Sequence, residues 1–278
     1  MAGEPSYARR ELGAELKRLR EAAKLTQARI GAACHWSQSK IVRLERGEAS
    51  LTIHDLHLLA DLYRANDEQR AHLVVLMERT EEGRWWEQYD GLVTATMDAF
   101  LSHESLASRI SVANMSIYPG LLQSRAYTTA LFSKSRHVPD PDQAEALVDI
   151  RVRRRHVLDA GTQFHAVIGE NLLISPVGGY GVLLTQLQHV LDLSHRPNVT
   201  VQAVPLLAEE PFTCGGLILL DYTANATSIS YLEHSAGIVG YQLPLEVRRH
   251  RREFERMRSL AWSPEETQAR LETRIQEL

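Results

Sequence analysis

Leu25–Gly47, LTQARIGAACHWSQSKIVRLERG, is the stretch on which the reading of the 278-residue chain turns. Thr26 is a good N-cap for a first short helix whose inward positions are Ile30 and Ala33. Cys34-His35-Trp36 interrupts the apolar pattern. Ser37 then caps a second helix with Ile41 and Leu44 inward and Gln38, Ser39, Lys40 and Arg43 on or beside its outward face. Gly47, after Arg46, is a helix stop. Two short helices at a steep angle, the second with donors near its N-terminus, form the helix-turn-helix arrangement that fits a major groove. Glutamine bonds the adenine edge at two points and arginine the guanine edge, so the outward set has a chemical means of reading base sequence.

Working outward, residues 9–23 form a helix with Leu12, Leu16, Leu19 and Ala23 on one face. Arg10, Lys17 and Arg20 fall off that stripe, where they are either solvated or touch phosphate. Thr52-x-x-Asp55 opens a helix over 53–64 that buries Ile53, Leu56, Leu59 and Tyr63. Asp67-Glu68 begins a fifth, running to about Glu82 with Leu73, Val74, Leu76 and Met77 inward. Five helices of this kind bury a core of their own.

The formal net charge of −4 argues against nucleic acid until its distribution is considered. Residues 1–50 hold ten Lys and Arg against six acids, net +4, which leaves 21 against 29 and a net −8 for the rest. A basic head on an acidic body suits local DNA contact. The chain is too long for one such module, so two domains are expected: 1–82 for DNA binding, a linker over 83–91, and 92–278. Within the linker, Trp85-Trp86 is expected to pack against a domain, with a partner-binding patch as the alternative.

No apolar run reaches the roughly 18 residues of a membrane helix, and MAGEPSYARR lacks the core of a secretory signal. Cys34 and Cys214 match no metal spacing and read as free thiols in a reducing compartment, with the cytoplasm as the expected address.

Beyond residue 91, helices are expected over 92–107, from about Ser124, from Asp140-Pro141 through Val148, Val152 and Val157 to Leu158, over 183–194 and 245–261, and after Ser263-Pro264-Glu265-Glu266. Strands are expected over 162–168, 198–205, 217–222 and 228–232. The fold class is therefore mainly α: a five-helix N-terminal bundle, then an α+β domain with a small sheet surrounded by helices.

LTQ, then IG, then SQSKIVRLERG resembles the repressor-type helix-turn-helix of phage repressors and bacterial xenobiotic-response regulators. That resemblance implies that Gln27, opening the first helix, touches phosphate, while Gln38 and Ser39, opening the second, reach bases. Arg43, one turn on, is a guanine reader or a further phosphate contact, counted here with the bases. Ser37, Lys40 and Arg46 are assigned to phosphate, adding affinity without sequence choice. His35 departs from the pattern, standing where such turns usually carry glycine.

RWWEQY (84–89), YPGLLQ (118–123), RVRRRHVL (151–158), SPVGG (175–179), PNVTVQAVP (197–205), YLEH (231–234) and FERMRSLAWSPEE (254–266) resemble, in order, the C-terminal domain of unknown function of Streptomyces-type, WhiJ-like regulators. This implies an antitoxin-like transcriptional regulator. Its expected partners are double-stranded DNA with a palindromic operator, a second copy of itself, and a small acidic protein encoded nearby. Input through the C-terminal domain comes from such a protein or from a ligand. The alternative is an antitoxin-like module that sequesters the small protein and binds DNA for autoregulation.

Other chemistry is weakly supported. His54, His57 and Asp61 share a helix at metal-like spacing but lack a further fixed ligand, so no metal and no cofactor is expected. His103, Glu104, His165, Glu170, Glu233 and His234 have no nucleophile elbow or phosphate loop around them, and the Gly178–Gly181 run lacks dinucleotide-loop spacing, so no enzyme is expected. The arginines of 151–155 and 248–252 are either solvated faces paired with acids or a seat for DNA or an acidic partner.

Overall fold

The computed structural model of the chain describes residues 7–81, 85–89, 91–133, 140–208, 215–222, 228–234 and 237–278. Cys214 and the linker positions 82–84 and 90 lie outside the described residues. The chain divides into two compact units, Met1–Gln88 and Tyr89–Leu278. The fold is mainly α, with helices throughout the first unit and a six-stranded sheet surrounded by helices in the second.

In the first unit α1 (Tyr7–Ala22) packs on α3 (Gln38–Glu45) and α5 (Asp67–Glu81), while α2 (Gln27–Cys34) packs on α3 and α4 (Ile53–Leu62). Leu12, Leu16, Leu19, Ile30, Ile41, Leu56, Leu59, Leu73, Leu76 and Met77 form one core, as the helical periodicity predicts. Two expected inward positions are corrected. Ala33 is exposed and Gly31 and Cys34 are buried in its stead; Ile53 is 48% exposed, because as first residue of its helix it precedes the turn that meets the core. Burial raises the pKa of the Cys34 thiol. The helix caps are the expected ones. Thr26 and Ser37 accept from the amides of Arg29 and Lys40, and Thr52 and Asp55 make a reciprocal capping box.

In the second unit the strand order is β3-β2-β1-β4-β5-β6, from β1 (Arg109–Asn114), β2 (Gln163–Gly169), β3 (Val199–Val204), β4 (Gly216–Asp221), β5 (Ile229–His234) and β6 (Gly237–Tyr241). β1, β2 and β3 run parallel; β4, β5 and β6 continue antiparallel. β1 and β6 were not expected from sequence. β1 is central and buried on both faces yet carries Ser111 and Asn114, so it shows neither alternation nor an apolar run. β6 is an edge strand with two glycines.

On one face of the sheet the helix before β1 reaches Tyr231 of β5, and three helices link β1 to β2. α6 (Ala95–Leu106) precedes β1, and α7 (Arg125–Ser133), α8 (Pro141–Arg153) and α9 (His156–Asp159) follow it. The helix expected over 140–158 is broken at Arg154-Arg155 into α8 and α9. α10 (Tyr180–Ser194) crosses from β2 to β3. On the opposite face α11 (Pro244–Leu260) sets Val247, Phe254 and Met257 against Ala113, Val167, Leu217 and Leu219. α12 (Pro264–Glu277) packs on α10 and β3, and the edge of β3 is covered there: Ala203 donates to Thr267 and accepts from the Trp262 amide. No helix among the described residues is long and apolar enough to cross a membrane.

Candidate nucleic-acid interface

The turn between α2 and α3 is built from unusual backbone. His35 sits in the left-handed region at φ 56° and ψ 36°, and the Trp36 amide reaches back to the Gly31 carbonyl at 2.8 Å. Gly31 is required for that closeness, since a Cβ there would stand 2.8 Å from the Trp36 oxygen. The same closure recurs at Lys24 (φ 58°), Gly47 (φ 73°) and Arg64 (φ 56°), where α1, α3 and α4 end. A left-handed L-residue costs roughly 1–2 kcal/mol and glycine escapes this. We therefore expect His35→Gly to stabilise the first unit by about 1 kcal/mol, measured by urea denaturation. An unchanged or lower midpoint would show that the imidazole makes up the backbone cost.

α3 ends in a clamp. Arg20 of α1 donates to both carboxylate oxygens of Glu45, the last residue of α3, at 2.5 and 3.1 Å, and to the Leu25 carbonyl at 2.8 Å. Gln27 Nε2, at the start of α2, donates to Glu45 Oε2 at 2.8 Å. Both charged side chains are under 10% exposed. Arg20 is thus neither solvated nor available to phosphate, which corrects the sequence expectation: it stands at the margin of the Leu16 stripe, close enough to be folded under. Beside the clamp, a Cβ on Gly13 would lie 2.5 Å from the Leu44 oxygen, so glycine lets α1 touch the end of α3. Sequence reasoning missed both features; a lone acid next to Leu44 and an arginine next to the stripe were the available signals.

The outward side of α3 carries the predicted contacts. Gln38 and Ser39 are exposed in its first turn, and Ser37 caps it. The helix N-terminus adds partial positive charge, which favours phosphate. Lys40 Nζ lies 3.6 Å from the Trp36 ring centroid. Arg43 is exposed and donates from Nη2 to the Glu48 carbonyl at 3.1 Å, and Arg46 is exposed at the C-cap. Gln27 is half-buried and directed by Glu45, with a second Nε2 hydrogen left for another acceptor.

The remaining candidates are dispersed. His54 and His57 are exposed, Asp61 pairs with Arg70 at 2.6 Å, and no group of three metal-capable side chains occurs among the described residues. His103 contacts the Tyr231 hydroxyl, Glu104 takes a bidentate bond from Arg154, His165 bonds Gln202, Glu170 accepts from the Leu206 amide and Glu233 from Asn114, while His234 is exposed. Neither arginine cluster is a uniform solvated face. Arg154 is buried on Glu104, Arg155 reaches His189, and Arg251 is bonded to Asp221. Arg248, Arg249 and Arg252 are exposed.

A self-cored bundle whose second motif helix is capped, clamped from behind and polar in front defines a helix-turn-helix DNA-binding domain. Residues 11–73 match the family model described as "Helix-turn-helix domain", and residues 97–273 match "Domain of unknown function (DUF5753)". The second match takes in more than half of the sequence, and the chain belongs to the DUF5753 family. None of the curated proteins and none of the solved structures matches the chain.

Proposed function

We propose that the chain is a sequence-specific transcriptional regulator of the xenobiotic-response class. It lays α3 in the major groove, with Gln38, Ser39 and Arg43 on base edges and Gln27, Ser37, Lys40 and Arg46 on phosphates. The observation that carries this reading is the exposure of Gln38 and Ser39 at the tip of a helix whose other end is fixed by Arg20, Glu45 and Gln27. Residues 1–82 form the DNA-binding part, 83–91 a linker, and 92–278 a dimerisation and signal-input domain. A homodimer on a two-fold operator has half-sites about 34 Å apart or a multiple of that.

Selection of bound DNA from a random library tests this directly. Gln38→Ala should cost about 1–3 kcal/mol in binding and relax preference at a single base pair. Lys40→Ala should weaken all sites evenly and reduce the salt slope by about one. A Gln38→Ala protein that keeps both affinity and preference overturns the assigned register.

A second reading is supported by the exposed Arg248, Arg249 and Arg252 on α11, a seat with the right charge for a small acidic protein. In it, as in the WhiJ-like, actinobacterial regulators that the chain resembles, the molecule is antitoxin-like and binds DNA for autoregulation. Partner affinity unchanged by replacing those three arginines removes this reading. No catalytic role is assigned, since His103, Glu104, His165, Glu170 and Glu233 each have a structural partner. Turnover lost on His165 or His234 substitution would reverse that.

A further inference from the structure

Three stretches noted in the sequence and unused by DNA reading, 118–123, 151–158 and 231–234, converge in the second unit. They meet beyond Asn114, the last residue of β1. The sheet changes sense there: β2 lies parallel on one side of β1 and β4 antiparallel on the other. In open α/β sheets the crevice outside the carboxyl ends of the strands, where connections part, is the usual place for a ligand.

The residues at this point are arranged as an incomplete ion cluster. Arg154 gives Nε and Nη2 to Glu104, at 2.8 Å each, and its Nη1 points away from that pair. Arg151 is its neighbour one helical turn earlier, and the only hydrogen bond it makes among the described residues is a long one, 3.5 Å from Nη1 to Gln123 Oε1. Both Nη1 atoms stand 3.2 Å from the point where a Cβ on Gly120 would be. The missing side chain therefore lets two guanidinium tips approach one spot over bare backbone. The carboxylates nearby are already bonded, Glu104 to the Nε and Nη2 edge of Arg154 and Glu233 to Asn114 at 3.2 Å, and neither is bonded to Arg151 or to Arg154 Nη1. Burial, and next the charge of Arg154, pull the Arg151 pKa down to about 10, outweighing the opposite pull of Glu233 and Glu104. Two forked donors converging on one point match the geometry of an oxyanion.

We propose that Arg151 and Arg154, over Gly120, bind the carboxylate or phosphate group of a small molecule. As the signal for the input domain, this ligand rests on the regulatory reading above; as a site, it does not. Full-length protein is titrated with inorganic phosphate and, separately, with acetate, against chloride at matched ionic strength. Thermal unfolding and the arginine Nε–Hε resonances are the readouts.

A saturable response to phosphate assigns a phosphate-bearing ligand, and one to acetate a carboxylate. Arg151→Lys, which keeps the charge and loses the fork, should weaken that binding about tenfold to a hundredfold. Gly120→Val should abolish it, and Arg270→Gln, at an exposed arginine paired with Glu266, should leave it unchanged. Responses to both ions that stay linear, or that are the same in Arg151→Lys, overturn the site. Saturable binding that leaves operator affinity unaltered keeps the site and removes the signal-input reading.

Discussion

Arg20→Met should lower the unfolding free energy of the helical N-terminal unit by about 3 kcal/mol, a large part of the roughly 5–10 kcal/mol that a domain of this size has. The guanidinium is bonded to both oxygens of Glu45, and both side chains are nearly enclosed. Removing one member of such a pair leaves a charge without compensation, which typically costs about 3–5 kcal/mol. The lower end applies because Gln27 still donates to one Glu45 oxygen. Hydrogen exchange of the Leu12–Leu19 amides is the measurement, since it reads the opening of α1 directly. Arg20→Met with Glu45→Leu should recover most of the loss, because an apolar pair of similar volume avoids the desolvation of both charges. That double variant separates folding from recognition. Gln27 loses the acceptor that directs it, so operator affinity should stay reduced although stability has returned. A loss below about 1 kcal/mol for the single variant would class the pair with weak surface bridges.

The clamp marks the limit of what sequence conveyed about this unit. Caps, stops and inward leucines act through neighbours within four positions, and Thr26, Ser37, Thr52 and Gly47 all do what their local chemistry predicts. His35 was legible as the turn residue for the same reason. Arg20 and Glu45 are 25 positions apart, and nothing local joins them. An isolated charge beside an apolar stripe is usually solvated, and only tertiary packing turns this one inward.

In the second unit the contrast is sharper. Four strands were recognisable because each holds a period-2 or apolar stretch, such as VTVQAV in β3 or Leu217–Leu220 in β4. β1, the strand from which the sheet grows in both directions, was not. Its Ser111 and Asn114 are buried, and Asn114 binds the following loop through the amides of Ser116 and Ile117. A strand used to hold polar groups at its end loses the period that would reveal it. Likewise the arginine run at 151–155 looks like one basic face in sequence. The break between α8 and α9 falls inside it, so its members turn to different partners.

That division leads to an ordering of effects. Glu104→Gln should destabilise the second unit by about 4 kcal/mol, and Arg154→Gln by less, about 2–3 kcal/mol. In a simple account of one buried pair the two losses would be equal. Here Arg151 stands beside the pair, and Glu104 acts on it as well as on Arg154. With Glu104 neutral, two adjacent guanidiniums share only the Glu233 charge, which is held by Asn114. With Arg154 neutral, Glu104 keeps a cation, because Arg151 is on the same helix and already within its field. The first change leaves a repulsion with no remedy in the protein, and the second allows a rearrangement. Exchange of the amides of β1 and α6 reports both. Phosphate or acetate should restore part of the Glu104→Gln loss and none of the Arg154→Gln loss, since only the first leaves two arginine forks for an anion to bridge. Equal losses, or equal rescue, would mean that Arg151 is not coupled to the pair.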